Sequence, residues 1–318
     1  MIKGKNILIT GGAGFIGSNL AEYLAAENHV HILDNFSAVD DRFIRHLAES
    51  GSVRVIRGDI TIERDLSALD RYDIVFHLAA DSDVRGGSER PQFDFKVNAE
   101  GTLNLLEYMR RKDIGEIAFA SSSTVYGEAT KIPTDEDYGP YLPISSYGAS
   151  KMAAEGFISA YSHYYGIRGT IFRFANIVGR NSTHGVIYDF IRKLQKDRKH
   201  LEILGDGTQR KSYLHVSDCV QSMAYVHERS SRTDIFNLGN PGTTSVLRIA
   251  QTVVEKMKLG DVQFVFKGGF EGRGWKGDVK FAELGIGKLT STGWKNRYGS
   301  DEAVSVATEE MLPQILGN

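Results

Sequence analysis

The stretch that decides the fold is Asn6-Ile-Leu-Ile-Thr10, followed by Gly11-Gly-Ala-Gly-Phe-Ile-Gly17 and then by residues 18–34. An apolar run of strand length meets a glycine-rich turn, a helix-compatible segment follows, and a second apolar run ends in Asp34. Glycine allows a positive φ in such a turn and leaves room for a pyrophosphate against the backbone. The pattern predicts a strand–turn–helix–strand unit that binds a dinucleotide at the helix start. The alternative is an ordinary glycine-rich turn without a ligand.

Asp34 ends the second predicted strand, where a carboxylate can accept hydrogen bonds from the ribose of an adenosine. A carboxylate at this place also repels a 2′-phosphate. The sequence therefore predicts NAD as the cofactor and disfavours NADP.

Length and composition exclude several classes of protein. The 318 residues are enough for one large α/β domain or two unequal ones. A formal net charge of -2 argues against nucleic acid or an acidic membrane as a partner, and no run approaches the roughly 20 apolar residues of a membrane span. The single Cys219 excludes an intrachain disulfide, and the chain starts at once with a core strand rather than a signal peptide. We expect a cytoplasmic protein, and no cluster has the spacing of metal ligands.

Strands and helices alternate from the first strand onward. Periodicity predicts strands at 53–57, 74–78, 116–120 and 168–174 and helices at 98–111 and 147–165. This alternation is typical of an α/β protein with a Rossmann-type doubly wound parallel sheet. Beyond about Asn176 the loops are longer and rich in glycine, with helices predicted at 187–196, 246–257 and 301–316. We predict a cofactor-binding domain at 1–176. Residues 177–318 are predicted to form mainly a smaller α/β substrate-binding region, with part of this segment contributing to the first domain.

Tyr147-Gly-Ala-Ser-Lys151 can carry acid–base chemistry, because residues four apart lie on one face of a helix. A phenol has a pKa near 10, and a neighbouring ammonium and a positive nicotinamide ring favour the phenolate. Lowering that pKa by about 3 requires roughly 4 kcal/mol, which two cations can supply in a partly desolvated site. Tyr147 is therefore predicted as a general base near neutral pH, with a hydroxyl from residues 121–124 beside it. The alternative is an amphipathic helix face without a catalytic role.

Several ordered blocks resemble one known family. They are Thr10-Gly-Gly-Ala-Gly-Phe-Ile-Gly17, Asp34-Asn35, Gly58-Asp59-Ile60, His77-Leu-Ala-Ala80, Asn98-x-x-Gly101-Thr102, Ser121-Ser-Ser-Thr-Val-Tyr-Gly127, Tyr147-Gly-Ala-Ser-Lys151, Arg173-Phe-Ala-Asn176 and Gly205-Asp-Gly-Thr-Gln209. The sequence resembles the extended short-chain dehydrogenase/reductases, in particular the NAD-dependent nucleotide-sugar epimerases of the UDP-glucose 4-epimerase type. The blocks are specific for the superfamily and less specific for the substrate.

The resemblance implies three groups of site residues. The positions implied for catalysis are Ser122, Tyr147 and Lys151. The positions implied for NAD are Gly11, Gly14, Phe15, Ile16, Gly17, Asp34, Asn35, Phe36, Ser37, Asp59, Ile60, Leu78, Ala79, Ala80, Asn98, Tyr147 and Lys151. The positions implied for the nucleotide sugar are Ser122, Asn176, Val186, Lys211, Arg273 and Asp278.

One of these positions departs from the family pattern. Lys211 stands where the family usually has arginine, which replaces a bidentate fork by a point charge. Arg210 or Arg273 can supply the fork instead, so the residue that grips the diphosphate stays open. The alternative for Arg210 and Lys211 is solvated loop charge.

The resemblance implies a UDP-sugar 4-epimerase, with UDP-glucose and UDP-galactose as the expected pair and galactose metabolism as the expected context. The sugar 4-hydroxyl is oxidised to a transient 4-ketosugar, and hydride returns to the opposite face. UDP-N-acetylglucosamine and UDP-glucuronate 4-epimerases are the alternatives. A small residue, Ala282, falls near the sugar 2-substituent and would leave room for an N-acetyl group. The resemblance also implies a homodimer through helices at 102–111 and 147–165.

Three other functions are disfavoured. Dehydratases of the family carry Asp-Glu after the catalytic hydroxyl, and decarboxylases carry glutamate at the place of Thr124, whereas Ser123-Thr124 follows Ser122 here. A reductase with exchanging NADPH is disfavoured by Asp34. Non-catalytic dinucleotide-sensing members typically lose the tyrosine or the lysine, and Tyr147 and Lys151 are both present.

Overall fold

The computed structural model of the chain describes residues 2–269 and 279–317. In chain order its strands β1 to β14 are Asn6–Thr10, His29–Asp34, Val53–Arg57, Ile74–His77, Glu116–Ser122, Arg168–Phe174, Asn176–Val178, His200–Leu204, Arg210–Lys211, Tyr213–His215, Asp234–Leu238, Thr244–Ser245, Gln263–Lys267 and Phe281–Ala282. Its α-helices α1 to α11 are Phe15–Ala25, Arg45–Glu49, Glu63–Ser67, Pro91–Asp94, Gly101–Arg111, Ser146–Tyr165, Val186–Lys196, Val216–Arg229, Val246–Lys256, Gly287–Ser291 and Ser300–Leu316. Short 3-10 turns occupy Asp41–Phe43, Gly86–Ser88 and Ser123–Tyr126.

The first compact unit comprises the chain up to Glu128, Tyr138–Phe174 and Val220–Phe236. It contains the seven-stranded sheet, whose order is β11-β6-β5-β4-β1-β2-β3. The pairs from β3 through β2, β1, β4 and β5 to β6 are all parallel. This order is that of a doubly wound sheet, in which the carboxyl ends of β1 and β4 meet at the point where the winding reverses. The prediction of an α/β fold with a Rossmann-type parallel sheet is confirmed.

The core of this unit lies between the sheet and its covering helices. Leu8, Val75 and Phe119 project from the strands, and Leu105 and Ile158 come from α5 and α6. All five side chains are fully buried. Because the strands are covered on both faces, they read as nearly continuous apolar runs, which made them recognisable in the sequence.

The second compact unit comprises Ala129–Asp137, Ala175–Cys219 and the chain from Asn237 onward. Its sheets are small: β7 pairs with β10, β8 pairs with β13, and β9 lies between β12 and β14. Phe190, Leu194, Ile203, Val253 and Met311 form the middle of its separate core. Within the described residues, none of the helices combines the length and apolar composition needed to cross a bilayer.

The segment predicted as one helix at 98–111 differs in the structure. A π-helix at Phe95–Glu100 precedes α5. The Asn98 side chain accepts a hydrogen bond from the Asp81 N–H at 2.9 Å and donates to the Asp81 carbonyl at 3.1 Å and to Ser150 Oγ at 3.0 Å. The wider turn thus holds an amide that ties the loop after β4 to α6. Periodicity in the sequence cannot show this, because these bonds connect distant parts of the chain.

Candidate active site

The glycine-rich turn connects β1 to α1 and packs against the chain that follows β4. Gly11 has a φ of +69°, and a Cβ built there would lie 2.6 Å from the Ala79 nitrogen. A Cβ on Gly17 would lie 2.2 Å from the Gly11 carbonyl oxygen. Both positions therefore require glycine. Gly14 precedes α1 with no side-chain hydrogen bond to its first turn, so the helix start offers backbone N–H groups to an anion.

Asp34 ends β2 beside this turn. Its Oδ2 accepts a hydrogen bond from the Ala13 N–H at 3.0 Å, and its Oδ1 accepts one from the Phe36 N–H at 2.8 Å. Burial raises the pKa of the Asp34 carboxyl, and these two bonds oppose the rise. Each oxygen keeps a further lone pair, so the carboxylate can brace the turn and still accept from a ribose.

The next cofactor positions lie at the ends of β2 and β3. Asn35 donates from Nδ2 to Asp59 at 2.9 Å, and its own Oδ1 accepts from the Ser37 N–H at 3.0 Å. Phe36 has a φ of 57°, the left-handed region that a non-glycine residue rarely adopts. Ile60 is buried against Gly101. The structure thus brings Asp34 to Ser37 and Asp59 to the carboxyl edge of the sheet.

Leu78, Ala79 and Ala80 follow β4 at the same edge and are partly exposed. The Leu78 N–H donates to the Thr10 carbonyl at 3.0 Å, which continues the β1–β4 pairing. His77, just before them, is fully buried, and its ring nitrogens contact the hydroxyls of Thr10 and Thr102. Burial first, and then the Lys151 charge, lower the pKa of His77 to about 3, so this histidine is neutral.

The proposed catalytic side chains meet where β5 ends and α6 begins. The Ser145 side chain caps α6 by accepting from the Gly148 N–H at 3.1 Å, which sets the first turn of the helix. The Ser122 side chain interacts with the Tyr147 phenol, and this interaction lowers the Tyr147 pKa against the effect of burial. Ser122 Oγ also accepts from the Thr124 N–H at 3.2 Å and from Thr124 Oγ1 at 2.9 Å.

Lys151 lies one turn beyond Tyr147 on the same helix face and is only 2 % exposed. Its Nζ donates to the Ala120 carbonyl at 2.9 Å. The same nitrogen lies 4.9 Å from the centre of the Phe119 ring and 5.9 Å from the centre of the Tyr147 ring. The arrangement places a phenol, a hydroxyl and an amine side by side in the first unit.

Of the residues predicted for the nucleotide sugar, Asn176, Val186 and Lys211 belong to the second unit and Ser122 to the first. Asn176 begins β7 and donates from Nδ2 to the Ser212 carbonyl at 3.3 Å, and Val186 begins α7. Lys211 in β9 pairs with Ala282 in β14. Arg210 donates to the Thr243 side chain and carbonyl at 3.0 and 2.9 Å. Arg273 and Asp278 lie outside the described residues.

A scan against family models matches residues 7–239 to the NAD dependent epimerase/dehydratase family. The chain belongs to this family. Its cofactor is NAD, and the turn fits the group: the start of α1 is uncapped by side chains and Asp34 has lone pairs to offer. When bound, NAD supplies a hydride acceptor and donor. Over residues 2–269 and 279–317, no group of three His, Cys, Asp or Glu side chains could hold a metal ion.

Relatives of the chain within the family have several activities. A solved structure described as UDP-galactose 4-epimerase is 36 % identical, with a TM-score of 0.88 and coverage of 98 % of this chain and 99 % of that one. A UDP-N-acetyl-alpha-D-glucosaminuronate decarboxylase of Bacillus cytotoxicus is 34 % identical in sequence, and the alignment covers 84 % of this chain and 87 % of that protein. The UDP-N-acetylglucosamine 4-epimerase of Methanobrevibacter ruminantium is 26 % identical, with a TM-score of 0.87 and coverage of 98 % and 100 %. Similarity therefore assigns the family and leaves the substrate open.

Burial dominates the electrostatics of this site in the absence of a cofactor. Burial raises the pKa of Tyr147 to about 12; the interaction with Ser122 opposes this, and the Asp94 and Asp81 charges add to it. Burial also lowers the pKa of Lys151 to about 7, against the charge of Glu155. Without the cofactor, burial thus raises the phenol pKa. The expected fall of this pKa includes the charge of the nicotinamide ring, so it stays a prediction for the complex with NAD.

Sequence reasoning gave no role to three residues around this site, which are Glu155, Arg173 and Asp94. Glu155 and Arg173 form a buried ion pair behind Lys151, and Ser121 donates to the same carboxylate. The spacing of four residues from Lys151 to Glu155 could have indicated a shared helix face. Asp94 is fully buried, its Oδ2 lies 2.5 Å from Ser146 Oγ, and its Oδ1 has no partner among the described residues. Nothing in the sequence around Asp94 indicated its burial.

Asp34→Ala should weaken NAD binding and relax the discrimination against NADP. The loss of two charge-assisted acceptor sites predicts a reduction of roughly tenfold or more in NAD affinity. Isothermal titration of the cofactor-free protein with NAD and with NADP measures both effects. An unchanged ratio of the two affinities would remove Asp34 from the ribose site.

The cofactor-free protein should become more stable as the pH rises above 7. The pKa of Lys151 is about 7 in the folded state, well below the usual value near 10.4 of an unfolded chain. Between these values the unfolded state binds more protons, so the free energy of unfolding increases with pH. Urea unfolding at pH 7 and pH 9 should show this increase, and Lys151→Met should show a smaller one. An equal increase in the variant would contradict the low folded pKa.

Proposed function

We propose that the protein is a NAD-dependent UDP-sugar 4-epimerase that interconverts UDP-glucose and UDP-galactose. The observation that carries the proposal is the cluster where β5 ends and α6 begins. The Ser122 side chain interacts with the Tyr147 phenol there, and Lys151, one turn away, donates to the Ala120 carbonyl. The cluster lies in the same compact unit as the glycine-rich turn.

The chain's own residues divide the proton chemistry among them. Tyr147 accepts the proton of the sugar 4-hydroxyl and later returns it to the 4-keto oxygen. Ser122 orients that oxygen and shares its hydrogen bond with the phenol. Lys151, fixed by the Ala120 carbonyl, holds the ribose beside the ring and places positive charge near the phenolate.

For the domains, we propose that residues 1–176 bind NAD and carry the catalytic residues, and that 177–318 mainly bind the nucleotide sugar. Asn176, Val186, Lys211, Arg273 and Asp278 are the residues assigned to it. Arg210 already donates to the Thr243 side chain and carbonyl, so its guanidinium is partly committed. Lys211, Arg210 and Arg273 all stay candidates for the group that grips the diphosphate.

The observed contacts of Thr124 favour epimerisation over decarboxylation or dehydration. Thr124 donates to Ser122 at the place where decarboxylases carry a glutamate, so the site has no carboxylate there. UDP-N-acetylglucosamine and UDP-glucuronate 4-epimerases remain second candidates. The small side chain of Ala282 beside Lys211 supports a substrate with a bulky 2-substituent. A non-catalytic dinucleotide sensor is disfavoured because Tyr147 and Lys151 are both in place.

For assembly and location, we propose a homodimer formed through α5 and α6, in the cytoplasm. Phe157, Tyr164 and Tyr165 of α6 are 38 %, 71 % and 51 % exposed, which supports an interface on this helix. The buried free thiol of Cys219 is compatible with a reducing compartment.

Tyr147→Phe should abolish epimerisation while the fold and the bound NAD stay intact. Removal of a general acid–base group predicts a loss of about 10²- to 10⁴-fold in kcat. The assay is product formation from UDP-glucose, with NAD content measured in the same preparation. Full activity in the variant would remove the base assignment.

The substrate is tested by incubating the protein with UDP-glucose, UDP-N-acetylglucosamine and UDP-glucuronate and resolving the products by stereochemistry. The proposal expects the highest kcat/KM for UDP-glucose and no net NADH at 340 nm. A preference for another sugar would select that epimerase instead. Release of CO₂ or of water would replace epimerisation by decarboxylation or dehydration.

A further inference from the structure

The helix face that carries Tyr147 and Lys151 has a third polar member. Glu155 lies one turn beyond Lys151 and is only 6 % exposed. Arg173 on β6 is 1 % exposed, and its Nε and Nη2 donate to the two carboxylate oxygens of Glu155 at 3.0 and 2.6 Å. This is a bidentate pair of the strong, geometrically specific kind. The proposed chemistry assigns no task to it.

Arg173 is held as firmly as its partner. Its guanidinium carbon lies 4.7 Å from the centre of the Tyr126 ring and 4.6 Å from the centre of the Tyr141 ring. Nη1 also donates to the Tyr141 hydroxyl at 3.2 Å. An arginine between two aromatic faces keeps its charge and its orientation. The Glu155 carboxylate therefore has one fixed place.

Three consecutive residues at the end of β5 interact with three successive turns of α6. The Ala120 carbonyl accepts from Lys151, the Ser121 hydroxyl donates to Glu155, and the Ser122 side chain interacts with the Tyr147 phenol. Ser121 thus joins the ion pair to the strand between the anchor of the lysine and the catalytic hydroxyl. A displaced Glu155 would displace both.

We propose that Glu155, held by Arg173, is a positioning residue that fixes α6 against the end of β5 and supplies the negative charge facing the Lys151 ammonium. The inference rests on the proposed function, since it concerns how Lys151 and Ser122 are presented to Tyr147. It adds a group that touches neither sugar nor cofactor.

The groups around Lys151 support the electrostatic part. Tyr147 and Glu155 face it from α6, His77 from β4, and Arg173 lies behind Glu155 on β6. His77 is neutral because burial lowers its pKa to about 3. Asp81 and Asp94 act on Tyr147. Burial lowers the pKa of Lys151, and Glu155 is the charged group that raises it. Without that charge, the protonated fraction of Lys151 at neutral pH would fall.

Glu155→Gln tests the charge while preserving the shape of the side chain. The expected result is a Lys151 titration midpoint lower by about one pH unit or more. This is measured in the cofactor-free protein by NMR of ¹³Cε-labelled lysine, with Lys151→Met to assign the signal. The alkaline limb of kcat should shift by the same amount, so that kcat at pH 8 falls about tenfold while KM changes little.

Glu116→Gln is the matched control. Glu116 begins β5, at the end of the strand away from Ser122. Its Oε2 lies 2.5 Å from Nη2 of Arg168, which begins β6, and 3.2 Å from Nε2 of His227. This variant should lose stability and leave the Lys151 midpoint and the kcat profile unchanged. A shift of equal size in the control would overturn the assignment to Glu155, because it would show a general effect of weakened β5–β6 pairing.

A second variant covers the case in which Glu155→Gln does not fold because Arg173 is left buried and unpaired. The double variant Glu155→Gln with Arg173→Gln removes both charges, a change that buried ion pairs often tolerate. Its Lys151 midpoint should also fall, by a smaller amount. An unchanged midpoint in a folded variant of either kind overturns the inference. Failure of the proposed function is recognised separately, as absence of epimerisation in the parent protein, and leaves the NMR test in force.

Discussion

A buried ion pair joins the elements that carry the proposed catalytic residues. Glu155 and Arg173 join α6 to β6, and Ser121 joins the same carboxylate to β5. These bonds fix α6 in position against β5 and β6. Buried charges are costly unless they are paired and hydrogen-bonded, and here every bond to the carboxylate comes from a part of the chain that carries or adjoins a proposed catalytic group.

Desolvation sets the protonation states that the site favours without its cofactor. Burial favours a neutral phenol and a neutral amine, so the pKa of Tyr147 rises to about 12 and that of Lys151 falls to about 7. Neither shift favours a phenolate in the protein alone. A positive nicotinamide ring beside the phenol reverses the balance, because an opposite charge in a low-dielectric site acts more strongly than in water. In the proposed mechanism, the base is therefore activated only when oxidised NAD is present.

Much of the first unit could be predicted from sequence because its signals are local. The strands at Asn6–Thr10 and Ile74–His77 contain unbroken apolar runs, and the turn at Gly11 needs glycine for its backbone. The sign of the Tyr147 pKa shift could not be predicted, since it depends on burial. Asp94 and the Asn98 bridge to Asp81 escaped because their partners are distant in sequence. The nucleotide-sugar residues stay a prediction, and two of them, Arg273 and Asp278, fall outside the described residues.

The central claim is that a phenol beside the oxidised nicotinamide acts on the sugar 4-hydroxyl. The most direct measurement is a crystal structure of the protein with NAD and a UDP-hexose. The account predicts Tyr147 Oη within about 3 Å of the sugar O4, with Ser122 Oγ bonded to the same oxygen. A sugar whose O4 lies out of reach of that phenol, in every conformer its side chain can adopt, would contradict it.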